Sequence, residues 1–142
     1  AGALRANTAN GGIQAENVVL DGELAMGTAN GNIDIGNVSA EHLAAKSDNG
    51  EITLNGVQVS GETNIGTDNG DISINGFEPG SVTELETSLG EISGSINGEL
   101  RDFTVSSYTD LGENSLPESL PGGEKELTVK TDMGDIDITF IK

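Results

Sequence analysis

Cysteine is absent from this chain of 142 residues. That excludes disulfides and thiolate metal sites and says little about compartment, because a long stack of repeats needs no covalent staple. Bases are scarce. Six of them, Arg5, Lys46, Arg101, Lys125, Lys130 and Lys142, stand against 24 acids, and the net charge of −18 repels nucleic acid and anionic membrane surfaces. His42 is the only histidine, and by strand parity it faces solvent. With the bases scattered as well, no Ser-His-Asp triad, histidine metal cluster or phosphate cradle can be assembled. Aromatics are limited to Phe77, Phe103, Tyr108 and Phe140. Carboxylates are plentiful, but the cleft of acids, bases and aromatics that glycoside cleavage uses is not written here. The expectation is a non-enzymatic protein without a cofactor. No apolar run reaches the roughly eighteen residues of a membrane span. No signal peptide is visible at the amino end. An export signal or anchor would therefore lie in a segment outside this chain.

Helical periodicity is missing too. Apolar residues do not recur at i, i+3, i+4 and i+7, and the 21 glycines would be costly in helix interiors.

What the chain does contain is one phrase written seven times, a Thr or Ser, any residue, usually Asn, and then Gly. The copies are Thr8-Ala9-Asn10-Gly11, Thr28-Ala29-Asn30-Gly31, Ser47-Asp48-Asn49-Gly50, Thr67-Asp68-Asn69-Gly70, Thr87-Ser88-Leu89-Gly90, Thr109-Asp110-Leu111-Gly112 and Thr131-Asp132-Met133-Gly134. They return every 19 to 22 residues, as direct subtraction of these positions shows. A fixed period in this range marks a solenoid whose units bury their apolar faces only against neighbours.

Counting the Thr or Ser as position zero, positions five and seven read Ile13/Ala15, Ile33/Ile35, Ile52/Leu54, Ile72/Ile74, Ile92/Gly94, Asn114/Leu116 and Ile136/Ile138. Only the fifth and sixth copies break this two-residue alternation, the signature of a strand with one buried face. A second strand precedes each turn, at Leu4/Ala6, Leu24/Met26, Leu43/Ala45, Thr63/Ile65, Thr83/Leu85, Val105/Ser107 and Leu127/Val129. Val18, Val38, Val57 and Phe77 mark a short third side. The fold class is therefore all-β, a single-stranded parallel β-helix of about seven coils over residues 1–142. Copies stack at about 4.8 Å to make a thin tube. Antiparallel sandwiches do not require the same residue type at the same phase in every unit.

The Asn-Gly pairs turn corners, since Gly takes positive φ freely and Asn tolerates it. Thr and Asn then point inward or to the corner and form vertical hydrogen-bonded ladders. Positions one and four point outward. In the later copies they are mostly acidic: Asp48/Glu51, Asp68/Asp71, Ser88/Glu91, Asp110/Glu113 and Asp132/Asp135. Stacked carboxylates are unfavourable unless water, salt or a cation screens them, so Asp48, Glu51, Asp68, Asp71, Glu91, Asp110, Glu113, Asp132 and Asp135 form a candidate calcium edge. The competing reading is a solvated edge that keeps the rod soluble.

Near the carboxyl end the segment 113–126 holds Pro117, Pro121 and Gly122-Gly123. Proline cannot donate to a ladder, so this is a loop insertion that leaves the coil before Leu127-Thr128-Val129 rejoins it. Pro79-Gly80 is a smaller turn of the same kind, and Phe140-Ile141-Lys142 is expected to pack over the last coil.

The forms Thr67-Asp68-Asn69-Gly70-Asp71-Ile72-Ser73-Ile74 and Thr131-Asp132-Met133-Gly134-Asp135-Ile136-Asp137-Ile138 resemble a bacterial family labelled as adhesins, a domain-of-unknown-function family of parallel β-helix repeats. The resemblance implies a right-handed β-helix from an exported or membrane-associated bacterial protein, with no catalytic residue or cofactor to carry over. The expected function is a cell-surface adhesin or structural module that presents a rigid acidic face to a surface protein or carbohydrate. The alternatives are a bactofilin-like scaffold, self-associated through its coil ends, and calcium-dependent binding along the carboxylates. Ice binding would need an outward Thr-x-Thr file, which is not written here.

Overall fold

Alternating buried and exposed residues, as the phasing requires, run through the strands of the computed structural model, which describes residues 3–116 and 119–141. In Glu62–Asn69, Thr63, Ile65 and Thr67 are buried while Glu62, Asn64 and Asp68 face solvent. Fifteen strands, numbered along the chain, form among the described residues. One ladder holds β1 (Leu4–Asn10), β3 (Glu23–Asn30), β5 (His42–Asn49), β8 (Glu62–Asn69), β10 (Val82–Leu89), β14 (Lys125–Met133) and β12 (Phe103–Leu111), all parallel and in that spatial order. The short β13 (Ser119–Leu120) lies antiparallel on the far edge of β12. The other ladder runs β2 (Ile13–Val19), β4 (Ile33–Ala40), β6 (Ile52–Asn55), β9 (Ile72–Phe77), β11 (Ile92–Asn97) and β15 (Ile136–Ile141), with β7 (Gln58–Val59) beside the end of β4. This is a β-solenoid. With seven parallel strands on one side and six on the other, it makes about six turns rather than seven. The shortfall is the sixth copy, whose Asn114 makes only a single bridge to Ile136.

The order of stacking departs from the order of the sequence. Simple stacking would place β12 on β10, yet β10 pairs with β14 (Leu85 opposite Val129), and β14 in turn pairs with β12 (Leu127 opposite Val105). The seventh copy is thus inserted between the fifth and the sixth. Of segment 113–126, expected as a loop excursion, residues 113–116 and β13 lie against part of the resulting end. Leu116 is buried, Asn114 Nδ2 donates to Ser107 Oγ at 2.9 Å, and the Ile138 N–H donates to Ser115 Oγ at 3.0 Å. Pro117 and Glu118 lie outside the described residues, as does Lys142. Phe140 and Ile141 do not lie over the last coil but pair with Ile96 and Asn97 of β11, and the Phe140 ring meets that of Phe103 at 5.3 Å.

The third side begins at a column of positive φ, with Asn17 at 56°, Asn37 at 50°, Gly56 at 63° and Gly76 at 62°. Asn and Gly are the residues that tolerate this conformation. Beyond it Val38, Val57 and Phe77 turn into the core. The core is a set of files, of which Ile33, Ile52, Ile72, Ile92 and Ile136 is the most regular.

One file carries a flaw. Thr63 and Thr83 stand opposite each other between Leu43 and Leu127, both fully buried, and among the described residues neither hydroxyl finds a hydrogen-bond partner. A buried polar group left unpaired costs about 1–3 kcal/mol, whereas an apolar group of the same shape does not. Thr63→Val and Thr83→Val should therefore each stabilise the fold by about 1 kcal/mol. Urea unfolding measures this, and a loss of stability would show that the hydroxyls are satisfied.

Candidate interaction surface

The repeated corner is built from three columns. The Thr or Ser at position zero is buried in five of the seven copies and half-buried at Thr8 and Thr109, and in all but Thr8 its hydroxyl donates to the carbonyl of the neighbouring coil's Gly. These bonds are Thr28 to Gly11 at 3.1 Å, Ser47 to Gly31, Thr67 to Gly50, Thr87 to Gly70 and Thr131 to Gly90 at 3.0 Å, and Thr109 to Gly134 at 2.7 Å. The hydroxyls thus bond to backbone rather than to one another. The Asn column is solvent-exposed and forms an amide ladder, Asn30 to Asn10 at 3.1 Å, Asn49 to Asn30 at 3.0 Å and Asn69 to Asn49 at 2.8 Å. Gly is the third column, with φ of 154° at Gly50 and 152° at Gly70.

All nine candidate carboxylates are exposed, but they fall into two chemical roles. At position four the spatial order is Asn32, Glu51, Asp71, Glu91, Asp135, Glu113. Each Asn or Asp Oδ1 accepts the backbone N–H of the Glu in the next coil, with Asn32 to Glu51 at 2.9 Å and Asp71 to Glu91 and Asp135 to Glu113 at 2.8 Å. Asp71 and Asp135 are therefore corner caps, a role that parity alone did not reveal. The signal was present, since Asn32 occupies the same position without a charge and can accept the same bond.

At position one, Asp48, Asp68 and Asp132 are exposed and accept no such backbone bond from the described residues, while Asp110 accepts a hydrogen bond from the Tyr108 hydroxyl. Among the described residues, no three His, Cys, Asp or Glu side chains come together as a group that could hold a metal. His42 is half-exposed, its Nδ1 accepts the Glu62 N–H at 3.3 Å, and its Nε2 lies 3.8 Å from Glu41.

The outer face of the ladder that contains β1 mixes the two signs: Arg5 stands 3.8 Å from Glu23, Lys46 shares a shallow depression with Glu84 and Glu86, and Lys130 lies opposite Glu86. Arg101 pairs with Glu99, and Lys125 lies 5.9 Å over the Phe103 ring, both at the carboxyl end. Along the third side runs an open groove of about 760 Å³, floored by Ala40, Val59 and Pro79 and edged by Asp21, Glu41, Glu78 and Glu124.

The family model described as Toastrack DUF4097 matches residues 1–139. That description supports a domain of unknown function and does not carry the adhesin label. No curated protein and no solved structure matches the chain.

Proposed function

This chain belongs to the Toastrack DUF4097 family, whose activity is not known, and we propose that the solenoid works as a non-catalytic, extracytoplasmic bacterial module. It presents a rigid acidic edge to a surface protein or carbohydrate, as an adhesive or structural domain. The observation that carries this reading is the split between the two carboxylate columns. Asp71 and Asp135 serve the fold through backbone hydrogen bonds, whereas Asp48, Asp68 and Asp132 stand in solvent at the same corner. Like charges stacked at strand spacing are unfavourable. Acids that the fold does not use are therefore available for recognition. The lone, half-exposed His42 and the openness of the third-side groove support the absence of catalysis. A head-to-tail scaffold has less support, because the antiparallel β13 occupies part of the outer edge of β12, where a further parallel coil would have to pair.

The test is a triple variant, Asp48→Asn, Asp68→Asn and Asp132→Asn, which leaves the two caps in place. Stability should change by no more than about 0.5 kcal/mol per site, as for surface substitutions in general. Retention of protein-coated beads on bacterial surfaces and on immobilised polysaccharide should fall on the order of tenfold, since a charged rim acts mainly on encounter and specificity. Calcium and magnesium at equal ionic strength should weaken wild-type retention alike, by screening alone. Equal retention of variant and wild type would remove the acidic edge from the function, and no retention of either would remove adhesion.

A further inference from the structure

The Asn column of the corner stops partway along the rod. Asn10, Asn30, Asn49 and Asn69 stand on consecutive rungs and bond to one another. The next three rungs carry Leu89, Met133 and Leu111 at the same position, set side by side in that order by the pairing of β10, β14 and β12. All three side chains are exposed, Leu89 by 48%, Met133 by 50% and Leu111 by 61%. Leu89 lies between Asn69 and Met133, and Met133 between Leu89 and Leu111, so the exposure of these two belongs to the flank of the rod and not to an end. The fold does not require apolar residues here, since Asn fills this position in the other four copies and makes ladder bonds there. A continuous row of large apolar side chains, held in water where the corner accepts an amide, marks an interaction surface.

Acids border the row on both sides. On one side, in the same three rungs, stand Ser88, Asp132 and Asp110, and on the other Glu91, Asp135 and Glu113. All five acids are exposed. The nearest base along these strands is Lys130, two residues before Asp132. A second copy of this chain would bring the same five acids to the contact, and like charges brought together oppose association. The complementary surface is apolar along one line and basic on both flanks of that line.

We propose that the row of Leu89, Met133 and Leu111 docks a basic amphipathic helix of another protein. Its apolar stripe lies along the row, and its Lys and Arg side chains meet the two acidic borders. Spacing selects a helix over an extended segment. Rungs repeat every 4.8 Å or so, a helix turn rises about 5.4 Å, and alternate residues of a strand lie about 6.6 Å apart. Over the two steps of the row a helix therefore drifts about 1 Å out of register and a strand about 4 Å. The inference rests on the reading of the acidic corner as a recognition surface and deepens it by naming the chemistry of the partner.

The probe is a fluorescein-labelled peptide of about 18 residues, made of Leu and Lys with Leu at i, i+3, i+4 and i+7. Fluorescence anisotropy follows its titration with the full chain. A contact this narrow belongs to the weak class of interfaces, so the expected Kd lies between roughly 1 µM and 100 µM. Changing Leu89→Asn, Met133→Asn and Leu111→Asn together continues the Asn ladder and leaves the net charge at −18, so the general attraction of a cation to an acidic rod is the same in both proteins. Affinity should nevertheless fall at least about tenfold, because the central apolar contacts carry the binding. The melting midpoint should be kept, since the sites are exposed. Met133→Asn alone, in the middle of the row, should cost about threefold or more and serves as the test if the triple variant fails to fold. A peptide of the same composition with Leu and Lys in strict alternation should bind at least about fivefold more weakly, because its apolar face has the period of a strand.

Equal affinity of the wild type and the row variants, equal affinity of the two peptides, or a wild-type dimer that the row variant abolishes would each overturn the proposal. The acidic edge is tested apart from the row. Peptide binding lost in the Asp48→Asn, Asp68→Asn and Asp132→Asn variant but kept in the row variant overturns the row and leaves the edge. Row-dependent peptide binding without retention on bacterial surfaces overturns the adhesive role and supports the row.

Discussion

Replacing Gly70 by Ala should unfold the middle of the solenoid. Its φ is 152°, a region that L side chains rarely adopt, and a Cβ built there would lie 2.0 Å from the Gly50 carbonyl oxygen and 2.6 Å from its carbon. Those atoms are backbone, so no rotamer change relieves the overlap. Neither can the coils separate, because the Gly50 N–H donates to the Asn69 carbonyl at 2.9 Å and the Gly50 carbonyl accepts the Thr67 hydroxyl at 3.0 Å. Strain of this kind, added to lost ladder bonds, places the substitution in the exceptional class above about 4 kcal/mol. In a stack stabilised by nearest-neighbour interfaces, one broken interface also uncouples the coils on either side. Gly76→Ala is the control. Its φ is 62° and no heavy atom lies within 4 Å of the added Cβ, so only the backbone cost of about 1–2 kcal/mol applies. Urea unfolding of both variants should show a single reduced midpoint for Gly76→Ala and a lost or divided transition for Gly70→Ala. Equal midpoints would mean that the corner column is not the tight contact described.

The second large effect concerns the interleaved coil. Ending the chain after Glu124 removes β14 and β15. In a stack that followed the sequence this would strip only the last coil and leave β12 on β10. Here β12 has β14 as its long partner, so it should lose its footing while still covalently present. Amide exchange at Phe103–Leu111 should then reach the rates of an unstructured segment, several orders of magnitude faster than in the full chain, because a strand without ladder partners has no protection. The full chain offers a second readout, made clean by the absence of cysteine. Glu86 stands directly opposite Lys130, whereas Tyr108 is one rung further. A cysteine pair at 86 and 130 should cross-link readily, while a pair at 86 and 108 spans about 10 Å and should not. Cross-linking of 86 to 108 instead would restore sequential stacking.

This interleaving is where reading the sequence stops short. Phasing on the Thr-x-Asn-Gly unit places Ile33, Ile52, Ile72, Ile92 and Ile136 in one buried file and Thr28, Ser47, Thr67, Thr87 and Thr131 in another, because each position answers to local periodicity and turn chemistry. It cannot say which copy is whose neighbour. Every copy carries a compatible corner, so the choice is a long-range matter. One trace does survive at position four. Along the chain the residues run Asn32, Glu51, Asp71, Glu91, Glu113, Asp135, and the alternation of cap and capped fails after Glu91. In spatial order it is unbroken.

The candidate site was legible to a similar depth. Parity puts all nine carboxylates outward, and they are exposed. It does not distinguish Asp71, which sits beside the N–H of the next corner, from Asp68, which does not. Thr63 and Thr83 were legible as inward strand positions, while their missing partners depend on what lies above and below.

The position of β14 also bears on time. During synthesis β12 leaves the ribosome before β14, at a moment when the rung beside β10 is the nearest open edge. To reach the final arrangement β12 must either wait or settle there and later give the place up. All the coils up to β11 can be laid down in the order of their birth, each on its predecessor. The last two cannot. Maturation of this rod therefore has a closing step in which β14 takes the rung beside β10 and β12 the rung outside it, and until then the acidic shaft exists without its lock.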